Sequence, residues 1–177
     1  MCLRKVTLCA LALCLGLAAP LMAHGGQAGT AEATVKGKKV TITYGRPSLK
    51  GRDLLGKAPV GTIWRLGRNE ATTIESTGDL TIAGKELKAG KYSLWAKKTG
   101  DNAWVLAFHP TTTRPDGRPL WGQPELREGY VAELPLSPAT APGAAEELTI
   151  HLDEQGGKAV VKIHWGTALY SGSFDVK

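Results

Sequence analysis

The feature that most constrains the fold of this chain is a repeated alternation of apolar and polar residues in short segments. Val40, Ile42 and Tyr44 alternate with Thr41 and Thr43, which is the period-two pattern of a half-buried strand. No segment of ten residues keeps a helical period. Further strands are predicted over 71–76, 79–83, 91–98, 104–109, 130–136, 147–152, 158–165 and 169–176. The sequence therefore predicts an all-β fold, a single antiparallel β-sandwich or flattened barrel of about nine to ten short strands.

The connections between these strands carry Gly, Asn, Asp and Pro, the residues that favour turns. We expect a hairpin at 77–78 and a second at 100–102. A loop over 48–61 is expected to contain a short helical turn at 53–55. The longest irregular segment is 110–129, and a loop of that length is usually functional or disordered. Trp121 within it argues against disorder, because an indole is costly to leave in water.

The N-terminal segment has the pattern of a secretory signal peptide. Arg4 and Lys5 precede an apolar run over 6–17, which is too short to span a bilayer comfortably. The small residue Ala23 favours cleavage before His24. We therefore expect a Sec-type signal peptide and a periplasmic or secreted protein, with no transmembrane segment.

These features divide the chain into three parts. Residues 1–23 are the predicted signal peptide, 24–33 a flexible leader rich in small residues, and 34–177 a single β-sandwich domain. All three cysteines lie in the first part, so no disulfide is expected after export; they are Cys2, Cys9 and Cys14.

The charge balance is basic, with 22 Lys and Arg against 16 Asp and Glu. Several positive residues lie between Arg46 and Arg68, which is typical either of a solvated face or of a surface for anionic partners. The candidate partners are an anionic glycan, a cell-wall fragment or a phosphate-containing ligand. No nucleic-acid-binding motif is present, so nucleic acid is not expected. The sequence leaves the oligomeric state open.

The segment 63–74 carries the densest set of chemically useful side chains. It precedes and enters a predicted strand, so its polar residues are expected on the loop that leads into that strand. With arginines from the preceding loop they could form an anion clamp, because guanidinium groups bind carboxylate or phosphate through two hydrogen bonds. Alternatively, Glu70 pairs with Arg65 or Arg46 and braces the loop. The predicted ligand-binding residues are Arg46, Arg52, Arg65, Arg68, Asn69, Glu70 and Trp121.

Three multi-residue blocks occur in order along the chain. They are Tyr-Gly-Arg-Pro-Ser-Leu-Lys-Gly-Arg at 44–52, Trp-Arg-Leu-Gly-Arg-Asn-Glu-Ala-Thr at 64–72 and Ala-Gly-Lys-Tyr-Ser-Leu at 89–94. With these blocks the chain resembles a bacterial exported family catalogued as domain of unknown function 2911, over roughly 34–152. The resemblance implies export and an all-β fold, and it implies no activity, cofactor or catalytic residue.

Two further hypotheses concern chemistry. Glu70, with Asp53 or His109, could act as acid and base in an envelope hydrolase or isomerase. No Gly-x-Ser-x-Gly, His-Glu-x-x-His or Walker motif is present, so catalysis is the less favoured alternative and no cofactor is expected. A remote alternative is copper binding through the amino group and ring of His24, completed by another histidine. The candidates for that histidine are His109, His151 and His164.

Overall fold

The computed structural model describes residues 27–121 and 124–177, so the predicted signal peptide and its cleavage site lie outside it. The described residues form strands β1 (Ala28–Val35), β2 (Lys38–Gly45), β3 (Ile63–Trp64), β4 (Thr73–Ser76), β5 (Leu80–Ile82), β6 (Lys85–Leu87), β7 (Gly90–Gly100), β8 (Ala103–His109), β9 (Ala132–Ala139), β10 (Ala145–Gln155), β11 (Lys158–Gly166) and β12 (Ala168–Val176). They also form helix α1 (Leu54–Lys57) and a 3-10 turn, Pro124–Arg127. Within these ranges no helix is long and apolar enough to cross a membrane.

The strands build a nearly closed antiparallel sheet in the order β1-β2-β4-β7-β8-β9-β12-β11-β10. Strand β3 pairs with β7, and β5 pairs with β12 and β6. Strand β9 joins the two halves, because its first residues pair with β8 and its last residues, 137–139, pair with β12. The prediction of an all-β sandwich or flattened barrel is confirmed.

The core fills the interior of this barrel with the inward side chains of both halves. Trp104, Phe108, Trp165 and Phe174 are among its largest buried side chains, and the rings of Phe108 and Phe174 meet edge to face at 6.5 Å.

Helix α1 packs onto this core. Its Leu55 is buried, and the Leu55 carbonyl accepts a hydrogen bond from the Trp104 indole at 3.1 Å. The helical turn predicted at 53–55 is confirmed, with Asp53 as the N-cap that accepts from the Gly56 amide.

Side chains and one loop join β2 to β10, across the gap in the sheet between its two edge strands, β1 and β10. The Tyr44 hydroxyl accepts a hydrogen bond from Ile150 N at 3.0 Å and donates to Ile150 O at 3.4 Å. Two residues along β10, Leu148 N donates to Pro47 O at 3.0 Å, and Arg46 Nε donates to Leu148 O at 3.3 Å. At Leu148 and Ile150 the edge of β10 therefore has its hydrogen-bonding groups occupied where a neighbouring strand would otherwise pair.

The prediction of a flexible leader over 24–33 is wrong from residue 28 onward. Strand β1 pairs with β2 along its whole length, from Ala28 opposite Gly45 to Val35 opposite Lys38. The small residues that suggested mobility have a packing role. A Cβ atom on Gly29 would lie 2.4 Å from Cζ of Tyr44, so the tyrosine ring occupies the space of a side chain. Residues 24–26 lie outside the described part of the chain.

The hairpin predicted at 77–78 is also wrong, although both of its strands exist. Strand β4 pairs with β2 and β7, whereas β5 pairs with β12 and β6, so the chain crosses here between the two halves of the barrel. Gly78 permits the crossing, since a Cβ atom there would lie 2.4 Å from Lys177 O. The Ser76 hydroxyl donates to Gly78 O at 2.7 Å and holds the bend.

Replacing Tyr44 with phenylalanine tests the closure. Tyr44→Phe leaves the buried N–H and C=O of Ile150 without a partner, and we expect a loss of about 1 to 3 kcal/mol in the free energy of unfolding. Urea denaturation measures it. The matched control is Tyr92→Phe, because the Tyr92 hydroxyl donates to Lys88 O in an exposed position and its loss should be smaller. Equal losses in the two variants would show that the Tyr44 hydroxyl does not support the closure.

Candidate functional site

A cleft of about 340 Å³ opens where the end of β2 and the start of β4 meet two loops. Four of the seven predicted ligand-binding residues line it: Arg68, Asn69, Glu70 and Trp121. It is also lined by Tyr44 and by neutral polar residues of β2, β4 and the longest loop. The structure therefore brings together the charged central segment and the tryptophan of the long loop.

The floor of the cleft is the outer face of β2 and β4. Thr43 and Thr73 both line the cleft and lie directly opposite each other in the ladder between these strands. The neighbouring residues Tyr44 and Ile74 are buried and face the core, because side chains alternate between the two faces of a strand. The floor is thus formed by two hydroxyl-bearing side chains attached to a rigid sheet.

The first wall is the loop over 65–71. The Thr72 hydroxyl donates to Leu66 O at 2.6 Å, and Thr72 N donates to Arg65 O at 3.2 Å. The loop lies so close to β2 that a Cβ atom on Gly45 would be 2.1 Å from Arg68 O. These contacts fix the backbone that carries the charged side chains of the cleft.

The second wall is the long loop, which folds across the outer face of β7 and β8. Its Leu120 and Leu126 pack on Trp95 and Ala107 and form a small apolar cluster outside the barrel. Ala71 N donates to Leu120 O at 2.8 Å, which joins the two walls. Trp121, the next residue, remains 45% exposed at the cleft. An anchored leucine thus positions an exposed indole.

Three hydrogen bonds hold the long loop near its ends. At the start, the Ser93 hydroxyl donates to Thr111 O at 2.7 Å, and Thr111 N donates to Nδ1 of His109 at 3.0 Å. At the end, the Tyr130 hydroxyl donates to Leu126 O. Burial, and secondarily the charge of Glu133, raises the pKa of Tyr130 to about 12.

Three of the predicted arginines do not line the cleft. Arg46 forms an ion pair with Glu147, with Nη2 and Oε2 3.2 Å apart, and so it braces β10. Arg65 is half-buried, and its Nη1 donates to Trp121 O at 3.4 Å; desolvation lowers its pKa. Arg52 is exposed and absent from the described cleft lining. The four arginines therefore do not form one clamp.

The structure does not show the ion pair expected for Glu70. The Glu70 side chain is exposed, and within 27–121 and 124–177 no ion pair joins it to Arg65 or Arg46. Glu70 lines an open cleft, as the enzyme hypothesis requires. Among the described residues that line the cleft there is no second carboxylate and no histidine. His109 is buried beneath the long loop, with the ring of Tyr130 edge-on at 5.7 Å.

The histidines of the copper hypothesis are dispersed. His24 lies outside the described residues. His151 and His164 are on paired strands, as predicted, but His151 is opposite Lys162 and His164 is opposite Thr149. Across the part of the chain that the structure describes, no group of three metal-ligating side chains occurs.

Sequence reasoning missed several residues of the cleft. Lys91 adds a second exposed cation, and Thr43, Thr73, Thr112 and Thr113 add hydroxyl groups. The period-two pattern identifies the outward position of Thr43. It does not reveal which strands are neighbours, and that information is needed to place these residues beside Glu70.

The three sequence blocks meet at this cleft. Tyr44 and Gly45 come from the first block, 68–71 from the second and Lys91 from the third. The family model described as "Protein of unknown function (DUF2911)" matches residues 26–173. The chain belongs to this family. No curated protein and no solved structure matches it. In this DUF2911 protein, residues that carry the sequence resemblance also form one continuous surface.

A double-mutant cycle tests the separation of Arg65 from Glu70. Because the two side chains form no ion pair, the coupling energy between Arg65→Ala and Glu70→Ala should lie within about 0.5 kcal/mol of zero. The matched cycle at Arg46 and Glu147, a partly buried pair, should give roughly 0.5 to 1 kcal/mol. Urea denaturation of the single and double variants measures both. A larger coupling at Arg65 and Glu70 than at Arg46 and Glu147 would contradict the geometry.

The raised pKa of Tyr130 gives a pH prediction. Since its folded pKa of about 12 exceeds the ordinary value of 10.0, the Tyr130 contribution to stability is complete below pH 10 and is lost as the pH rises from 10 to 12. Near-ultraviolet absorbance of phenolate, compared between wild type and Tyr130→Phe, isolates this group. Ionisation of Tyr130 at the ordinary value would show that it is not buried against the loop.

Proposed function

We propose that this DUF2911 protein is an exported binding module of the bacterial cell envelope, and that its cleft binds an anionic or saccharide ligand. The observation that carries the proposal is the cleft of about 340 Å³ that gathers Arg68, Asn69, Glu70 and Trp121. Binding sites combine a concave surface with an aromatic group and a few polar groups that fix orientation. The predicted signal peptide supports the cellular location.

The charges of the cleft are available to a ligand. Arg68 and Lys91 are exposed, and in the described chain neither is in an ion pair; the same holds for Glu70. The planar guanidinium of Arg68 is suited to a carboxylate or phosphate, and the amine of Lys91 adds a second positive charge. Two cations against one carboxylate leave the cleft with a positive balance that attracts anions.

Trp121 favours a ligand with a ring. Its indole is one of only three large apolar side chains with substantial exposure among the described residues, and it is the one at the cleft. An indole has an apolar face and a polar N–H, so it packs well against a sugar ring. Leaving this face in water is unfavourable, and a bound ring would cover it.

A thermal-shift screen of the purified protein tests the proposal. The panel is cell-wall fragments, anionic glycans and inorganic phosphate, each at low and moderate salt. A ligand that binds only the folded state adds about 2.7 kcal/mol of stability at a concentration of 100 times Kd. We expect stabilisation by at least one anionic member, weaker at moderate salt because exposed charges are screened.

Variants connect the shift to the cleft. Trp121→Ala and Arg68→Gln should each remove most of the shift, whereas Arg52→Gln, an exposed arginine outside the cleft lining, should retain it. Unchanged melting across the panel would contradict the proposal. If the protein hydrolyses a panel member and Glu70→Gln abolishes that activity, the result would instead favour the hydrolase alternative.

A further inference from the structure

A row of polar side chains crosses the outer face of the barrel through the cleft. Thr30 is opposite Thr43, Thr43 is opposite Thr73, Thr73 is opposite Ser93, and Ser93 is opposite His109. Directly opposite residues in antiparallel strands project from the same face, so these five side chains form one line across β1, β2, β4, β7 and β8.

Exposure along this row falls in one direction. Thr30 and Thr43 are exposed, Thr73 is half-buried, and Ser93 and His109 are buried beneath the long loop. The cleft lies over Thr43 and Thr73. It is therefore closed on the side of β7 and open on the side of β1, where Gln27 and Ala28 form its border.

The open end is long enough for more than one ring. Neighbouring strands lie ~4.8 Å apart, so Thr73 and Thr30, two strands away, are separated by roughly 10 Å along the floor. Threonine hydroxyls both donate and accept hydrogen bonds, which suits the hydroxyl groups of a sugar. A free phosphate would contact the cations and leave both Trp121 and Thr30 unused.

We infer that the ligand is an acidic oligosaccharide that enters the cleft from the side of β1. One sugar unit packs on Trp121 with its carboxylate at Arg68 and Lys91, and the next unit lies across Thr43 and Thr30. This inference rests on the proposed function and specifies the ligand of the same site.

Isothermal titration calorimetry tests the carboxylate. The probes are galacturonate, glucuronate and mannuronate, each compared with the neutral sugar galactose, glucose or mannose, and the tetrasaccharides of the same units. At least one uronate tetrasaccharide should bind about tenfold or more tightly than its neutral counterpart. The double variant Arg68→Gln/Lys91→Gln should abolish the preference for the uronate over the neutral tetrasaccharide. It should still bind both tetrasaccharides weakly.

A second comparison tests the additional unit. The uronate tetrasaccharide should bind about tenfold or more tightly than the monosaccharide in wild type. Thr30→Val removes the hydroxyl and keeps a β-branched side chain, so it should lower tetrasaccharide affinity without changing that of the monosaccharide. The control is Thr34→Val, which changes an exposed residue on the same face of β1 farther from the cleft.

The outcomes separate the inference from the proposed function. Equal affinity for monosaccharide and tetrasaccharide, with no effect of Thr30→Val, would overturn the inference and leave a one-unit site. Binding of inorganic phosphate alone, lost in Arg68→Gln, would also overturn it and leave the proposed function intact. Failure of every saccharide and anion to bind would overturn both.

Discussion

The barrel depends on the contact between Tyr44 and the edge of β10. A nearly closed sheet leaves two strands without a neighbour on one side, and unpaired backbone groups at such an edge are costly when buried. Here the phenol of Tyr44 serves both the N–H and the C=O of Ile150. Gly29 accommodates the ring on β1, and Arg46 continues the junction toward Leu148. Tyr44 and Gly45, at the end of β2, also line the cleft, so closure of the barrel and the shape of the cleft depend on the same strand end.

The sequence predicted the strands with period-two alternation, because each has one buried and one exposed face. The sequence-based prediction failed where tertiary contacts, and not the local pattern, determine the role of a residue. The small residues of β1 suggested a mobile leader, whereas Gly29 is small because Tyr44 fills its space. The turn at 77–78 suggested a hairpin, although Leu80 and Ile82 are buried in the other half of the barrel. The contact of Gly29 with Tyr44 and the pairing of β5 with β12 are not recognisable without the tertiary structure.

The candidate site was predicted in part for a similar reason. Arg68, Asn69 and Glu70 are consecutive in the chain, so local density was enough to find them. The role of Arg46 depends on Glu147, about one hundred positions away, and no local pattern connects the two. Lys91 was missed because its place beside the central segment follows from the pairing of β4 with β7. One sequence does not determine strand order. Cleft residues that are consecutive in the chain could therefore be predicted, whereas those placed there by strand pairing could not.

The apolar cluster beneath the long loop has a consequence for how the protein responds to heating. Trp95, Ala107, Leu120 and Leu126 are separate from the main core, and four side chains bury far less apolar surface than the barrel does. We expect opening of this cluster to require less free energy than global unfolding, because small local units open more readily than the whole fold. Because Trp121 follows Leu120 directly, loss of the cluster displaces one wall of the cleft while the barrel stays folded. The shape of the cleft therefore has a lower thermal limit than the fold that carries it.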